Sequence, residues 1–131
     1  MSNFSELSYW NKLHFIYSRL NIDRGNDVKF SVFVSRIMLS VQALVFTLPI
    51  YRLLNELYSI RNRIFELLGN DETLFQVLYV AFIVTILIIV KLSTLSAVKV
   101  SLIKSPYTKN DIRIRVVCLY VLPLSVAVYL S

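Results

Sequence analysis

Hydrophobic positions in the chain form three long runs, and the middle run, residues 73–90, is the most informative. It contains eighteen residues without a charge and lies between Glu72 and Lys91. As a helix it would be about 27 Å long, close to the roughly 30 Å of hydrocarbon in a bilayer. The run therefore predicts a membrane-spanning helix, and Asp71 is suited to cap its start.

The first run, residues 28–51, predicts another span, with Asp27 as its N-cap. Its charge-free part, residues 37–51, would reach only about 22 Å as a helix. Arg36 and Arg52 can extend the span if their aliphatic stems lie in lipid while the guanidinium groups reach headgroups. Because a charge inside a span is a functional candidate, Arg36 is the candidate intramembrane charge, with simple snorkelling as the alternative.

The third run belongs to a predicted span over residues 112–131. Its apolar part, residues 116–131, would be about 24 Å long, and Pro123 is expected to kink it. Arg113 and Arg115 are the expected anchors at the first end of the span. A re-entrant segment that does not cross the bilayer is the alternative.

The N-terminal segment, residues 4–20, has apolar side chains at steps of three and four, which predicts an amphipathic helix in the membrane interface. Trp10 and Tyr17 are the expected interface anchors, because their apolar bodies and polar tips favour the headgroup region. A helix packed on a partner protein would show the same stripe. The stripe consists of Leu7, Trp10, Leu13, Tyr17 and Leu20.

Residues 52–68 predict a second amphipathic helix, with Arg52 as an interface anchor. Their apolar stripe continues back into the first span, as it would in one long coiled-coil helix. A straight hairpin about Gly69 would, however, place these charged residues beside the apolar run 73–90. We therefore expect a break near Pro49, which removes a helical hydrogen bond, and residues 52–68 lying along the surface.

The second span is predicted to continue past the membrane as a helical extension, giving a helix over residues 73–103. Within it, Ser93, Ala97 and Ser101 recur every four residues and predict a ridge of small side chains for close helix packing. Chance spacing is the alternative, because serine is frequent throughout this chain.

The charged residues predict an orientation. The segment before the first span is basic, as is the segment 91–115, whereas 52–72 carries three arginines against four carboxylates. The positive-inside rule then places the N terminus and 91–115 in the cytoplasm, with 52–72 and the C terminus outside. The expected location is a bacterial inner membrane, or alternatively a mitochondrial one. No cleavable signal peptide is expected, because the start of the chain lacks a basic region followed by an apolar one.

Composition agrees with a small membrane protein. The 131 residues are 56% hydrophobic, and 14 basic against 8 acidic side chains give a net charge of +6. In a soluble protein this charge would suggest nucleic acid, but here anionic lipid headgroups are the expected partner and nucleic acid is not. The sequence predicts one domain, residues 1–131, and an all-α integral membrane protein with three transmembrane helices plus two amphipathic interfacial helices.

No residue pattern predicts catalysis. His14 has no carboxylate or cysteine at ligand spacing and is expected on a surface or interface, and Cys118 has no second cysteine to pair with. Nucleophile motifs, metal-ligand spacings and phosphate-binding glycine loops are missing from the sequence. We therefore expect a non-enzymatic protein with no catalytic residue, no cofactor and no metal.

Three functions fit a small membrane protein of this kind. The first is an accessory or assembly subunit that packs its spans against a larger membrane complex. The second is a homo-oligomeric pore or membrane-perturbing protein, comparable in size to holins and defence effectors, with polar residues of the first span lining it. The third is an immunity or exclusion factor that recognises one membrane protein. These comparisons rest on size and topology alone.

Overall fold

The computed structural model describes residues 3–131, and these residues form helices and no strand. After a 3₁₀ turn at Phe4–Glu6, the elements are α1 (Tyr9–Asp23), α2 (Val28–Tyr58), α3 (Ile60–Leu67), α4 (Glu72–Ser93), α5 (Ala97–Leu102), α6 (Lys109–Val116), a π-helical turn (Val117–Val121) and α7 (Leu122–Leu130). Three helices are long and apolar enough to cross a membrane, namely α2, α4 and the continuous helix Lys109–Leu130. This confirms the prediction of an all-helical chain with three candidate spans.

The N-terminal helix differs most from the sequence prediction. Helix α1 packs against α2 and α6, and it contributes both apolar and polar side chains to the protein interior. The expectation of one buried and one exposed face is therefore wrong for α1, whereas its placement in the membrane interface stays a prediction. The physical reason is that polar residues on its second face find hydrogen-bond partners inside the protein, so both faces can be buried. Its buried residues are Leu13, His14, Phe15, Ile16, Tyr17, Ser18, Leu20 and Asn21.

Helix α2 continues through Pro49, so the predicted end of the first span at residue 51 is wrong. Its 31 residues give a length of about 46 Å, which exceeds the hydrocarbon thickness. Proline is tolerated inside membrane helices when neighbouring groups satisfy the backbone. In the turn before the proline, the Thr47 hydroxyl donates to the carbonyl of Leu44 at 2.6 Å. The helix ends at Ser59, where the backbone is left-handed with φ of 50°.

The predicted helix over residues 52–68 is consequently divided. Residues 52–58 belong to the end of α2, and α3 begins again at Ile60. Gly69 follows α3 with φ of 70°, a conformation that glycine adopts without steric cost. The predicted stop at this glycine agrees with the structure, whereas the start of the amphipathic segment does not.

The predicted continuous helix over residues 73–103 is also wrong, because α4 ends at Ser93. Thr94 is extended, its hydroxyl donates to the carbonyl of Val90 at 2.7 Å, and Ser96 caps a separate helix, α5. Serine and threonine hydroxyls offer the backbone such alternatives to a helix. Ser93, Ala97 and Ser101 therefore do not share one helix, and the predicted ridge is not formed.

The third span begins at Lys109, three residues before the predicted start. Thr108 caps it by accepting a hydrogen bond from the Asp111 amide at 3.2 Å. Pro123 does not break the helix, because the π-helical turn before it changes the hydrogen-bond register. The helix remains continuous through Leu130.

The other two long helices both pack on α2. Helix α4 runs antiparallel to α2, and the third span runs parallel to it. The end of α4 meets α1, and α3 meets the start of α4. Helices α1 and α5 therefore lie at one end of the bundle, whereas α3 and Ser131 lie at the other. Most of the buried core lies at the end that contains α1.

Candidate functional site

The largest group of buried polar side chains lies where α1 meets α2 and the segment between α4 and α5. His14 on α1 is fully buried, and its Nδ1 lies 2.8 Å from the Ser35 hydroxyl. Its Nε2 lies 3.0 Å from the carbonyl oxygen of Leu95. The expectation that His14 lies on a surface is wrong, because three segments of the chain enclose it.

The partners of His14 determine its proton arrangement. A carbonyl oxygen only accepts, so Nε2 carries the proton that is donated to Leu95. Nδ1 of the neutral ring is then an acceptor, and the Ser35 hydroxyl lies within donating distance of it, at 2.8 Å, and of the His14 carbonyl, at 2.9 Å. Burial, opposed by the hydrogen bond to the Leu95 carbonyl and reinforced by the positive charge of Arg36, lowers the pKa of His14 to about 4. His14 is neutral at pH 7.

Arg36, the candidate intramembrane charge, is bound to the protein. Its Nε donates to the Thr94 hydroxyl at 2.9 Å, and its Nη2 donates to the carbonyl of Leu95 at 3.2 Å. The amide of Leu95 in turn donates to the Asn11 side chain at 3.1 Å. Side chains of α1 and α2 thus bind both the amide and the carbonyl of Leu95, directly after α4. Arg36 satisfies carbonyl and hydroxyl groups that the end of α4 leaves free.

A second buried polar group joins α1, α2 and the third span. The Gln42 amide donates to the carbonyl of Leu119 at 3.0 Å and accepts from the Tyr17 hydroxyl at 2.8 Å. The Tyr17 hydroxyl also lies 3.3 Å from the Leu119 carbonyl. Pro123, four residues after Leu119, has no N–H to donate to that carbonyl, so the carbonyl is free to accept from other helices.

Two of the predicted interface anchors make internal contacts. Tyr17 is 0% exposed and packs edge-on against Tyr120, so its assignment as an interface anchor is wrong. Trp10 is half-buried, and its indole N–H donates to the Ser93 hydroxyl at 3.1 Å. Both aromatic residues join α1 to neighbouring helices through their polar tips.

The predicted arginine anchors lie at the two ends of the bundle. Arg52 pairs with Glu56 at 3.0 Å and donates to the carbonyl of Ser131 at 3.1 Å. Arg113 and Arg115 are exposed near the start of the third span. The Arg115 guanidinium lies over the ring of Tyr107, 3.9 Å from its centroid. Their contact with lipid headgroups stays a prediction.

The sequence analysis did not predict that His14, Ser35 and Gln42 are buried and bonded to other polar groups. One signal was available, since Gln42 is a polar residue within a span and Pro123 frees a carbonyl in another span. Their pairing requires the two helices to meet at the same depth, which the sequence alone does not show. The position of His14 depends on the burial of α1, for which the stripe gave no indication.

Helix α4 exposes a long apolar surface. Of residues 72–93, all described by the structure, Val90 alone is buried. Helix α4 packs on α2 and, at its start, on α3. The remaining surface carries large apolar side chains, including Leu74, Val77, Val80, Val84, Leu87 and Ile88. Such a surface requires lipid or another apolar helix as its neighbour.

Comparisons with protein-family models, with curated proteins and with solved structures found no match to this chain.

Proposed function

We propose that this protein is a non-enzymatic membrane protein that acts as an accessory or assembly subunit, packing α4 against a larger membrane complex. The observation that carries the proposal is the contrast between the two ends and faces of the bundle. Helix α1 is packed on two sides, whereas α4 contributes Val90 alone to the core among residues 72–93. A helix with so little internal packing is suited to dock on another helix.

Polar residues of the first span support this proposal over a pore. Those that could line an aqueous channel already have partners within the described chain. Gln42 binds Tyr17 and the third span, Ser40 donates to the carbonyl of Arg36 at 2.8 Å, and Ser35 binds His14. A pore lined by these residues would have to separate α1 and the third span from α2, which exchanges the contacts of Ser35 and Gln42 for water and exposes the apolar side chains packed around them.

The proposed orientation has α1 and α5 in the cytoplasm and α3 outside, in a bacterial inner membrane. Its support is that the basic segments predicted for one side lie at one end of the bundle. Lys12 and Arg19 of α1 share that end with Lys99 and Lys104, near α5. Positive residues at the cytoplasmic face also attract anionic headgroups.

Photo-crosslinking in intact membranes tests the docking of α4. A benzophenone amino acid would replace Val80, Val84 or Leu87, which recur at helical spacing and are exposed. Leu67 of α3, which is 86% exposed outside the spans, is the matched control. We expect adducts with one larger membrane protein from the α4 positions and not from Leu67. Adducts with a second copy alone would favour the pore, and adducts with lipid alone would refute docking through α4.

A further inference from the structure

We propose that a groove between α2 and the third span binds one anionic phospholipid, with its phosphate at Arg115 and an acyl chain along α7. This inference is independent of the proposed accessory function and requires only that the spans lie in a bilayer. It rests on the shape of the groove, on its length and on the charge at its end.

The apolar part of the groove has a volume of about 500 Å³. Phe46 and Pro49 of α2 form one wall, and Leu122, Pro123, Val126 and Leu130 form the other. Small side chains, Cys118 and Ala127, leave space between the walls. The hollow is shallow and open along its side, and its predominantly hydrophobic lining suits an acyl chain that remains in contact with the bilayer.

A second hollow of about 320 Å³ on the third span shares Cys118 with the first, and we infer that the two together form one groove. The second hollow is lined by polar as well as apolar residues, namely Asp111, Ile114, Arg115, Cys118 and Leu119. The combined groove therefore has a charged end at the start of the third span and an apolar body deeper in the span. This polarity matches a phospholipid lying along one leaflet.

The length of the apolar part also fits an acyl chain. From Cys118 to Leu130 the helix rises about 18 Å at 1.5 Å per residue. One leaflet contributes about 15 Å of hydrocarbon, half of the bilayer value. A chain that starts beside Arg115 can therefore follow the groove for about 15 Å, to about residue 125, before it reaches the middle of the bilayer.

The charge at the end of the groove favours an anionic headgroup. Among residues 3–131, no carboxylate pairs with Arg115, whose guanidinium is held instead over the Tyr107 ring. Asp111, the acid that lines this end, accepts a hydrogen bond from the Thr108 amide at 3.3 Å. Its negative charge is outnumbered by those of the nearby Lys109, Arg113 and Arg115. The Arg115 N–H groups are free to donate to phosphate oxygens, with which guanidinium forms charge-assisted hydrogen bonds.

The test uses Cys118, the single cysteine of the chain, as a native probe within the groove. The full-length protein in detergent micelles would react with N-ethylmaleimide while phosphatidylglycerol or phosphatidylcholine is added. We expect saturable protection of Cys118 that requires less phosphatidylglycerol than phosphatidylcholine. Native mass spectrometry of the unlabelled protein should show one phosphatidylglycerol retained.

Arg115→Gln should raise the phosphatidylglycerol fraction for half-protection about fivefold, which corresponds to about 1 kcal/mol for one basic residue at a membrane surface. Arg113→Gln removes the same charge two residues away and should leave that fraction unchanged. The variants are compared by the phosphatidylglycerol fraction that gives half-protection, and not by the rate of the N-ethylmaleimide reaction. The reason is that Arg115 can itself change the reactivity of the nearby Cys118 thiol.

Three outcomes would overturn the proposal. Equal protection by the two lipids would indicate ordinary solvation of the span without headgroup recognition. Equal losses in Arg115→Gln and Arg113→Gln would indicate general surface charge. Protection that increases with protein concentration in the absence of added lipid would show that a second copy covers the groove.

Discussion

The hydrogen bonds at the Leu119 carbonyl lead to a quantitative prediction about Gln42 and Pro123. Gln42→Leu keeps a side chain of similar size but removes both hydrogen bonds of the amide, to Leu119 and to Tyr17. The Tyr17 hydroxyl retains the Leu119 carbonyl, 3.3 Å away, as a partner. The main loss is therefore that of the hydrogen bonds themselves, without a buried hydroxyl left unpaired.

The expected destabilisation is modest. Side-chain hydrogen bonds in membrane proteins contribute about 0.6 kcal/mol on average and about 1.7 kcal/mol at most. With two bonds removed, Gln42→Leu should lower the free energy of unfolding by about 1–2 kcal/mol. The direction follows from burial, since Gln42 is 6% exposed and water cannot replace the lost partners.

Pro123→Ala should reduce the effect of the Gln42 substitution. Alanine restores an N–H that can donate to the Leu119 carbonyl within the helix, so that carbonyl no longer depends on Gln42. In the Pro123→Ala background, Gln42→Leu should therefore cost about 1 kcal/mol less than in the original protein. The two substitutions should be strongly coupled although they lie on different helices.

Unfolding in mixed micelles by increasing fractions of dodecyl sulfate, followed by circular dichroism, would measure the four variants of this cycle. Ser40→Ala combined with Pro123→Ala is the control, because Ser40 donates only to Arg36 on its own helix and should be additive. A coupling between Gln42 and Pro123 below about 0.3–0.5 kcal/mol, the range of independent sites, would refute the role of the freed carbonyl.

Three further predictions follow from the other contacts. The free energy of unfolding should decrease by about 3 kcal/mol at most as the pH falls from about 6.5 towards 4, because the unfolded state binds a proton that buried His14 does not. His14→Gln should flatten this pH dependence, and an unchanged slope in the variant would contradict the prediction. Arg36→Leu should leave membrane insertion intact but increase proteolysis near Thr94, whereas equal proteolysis would mean that the Arg36 contacts contribute nothing measurable. In a Cys118→Ser background, an impermeant thiol reagent added outside should label Glu66→Cys and not Lys109→Cys, and the reverse pattern would invert the proposed orientation.

Several features of the fold were predictable because they depend on short stretches of sequence. The run 73–90 was predicted to form a helix long enough to span a membrane and lies within α4, since a long charge-free apolar run strongly favours a helix in lipid. Asp27 and Asp71 cap α2 and α4 as predicted, because a carboxylate before a helix accepts its first free amide hydrogens. These decisions need information from only a few neighbouring residues.

The prolines illustrate what local reasoning missed. A proline removes one hydrogen bond wherever it occurs, so a break near Pro49 was a reasonable expectation. The structure instead continues α2 past it and accommodates Pro123 with a π-helical turn. Whether a helix bends, breaks or continues depends on which groups from other helices accept or donate at the freed positions.

The sequence by itself determined the number of candidate spans and the positions of the main turns between them, because charge distribution and capping act over a few residues. Only the tertiary structure decided that α1 is an interior helix, that Arg36 binds the end of α4, and that Gln42 meets Leu119. The physical reason is that an apolar stripe indicates only that a helix face will be covered. Which helix or segment covers that face is decided by packing between residues far apart in the sequence.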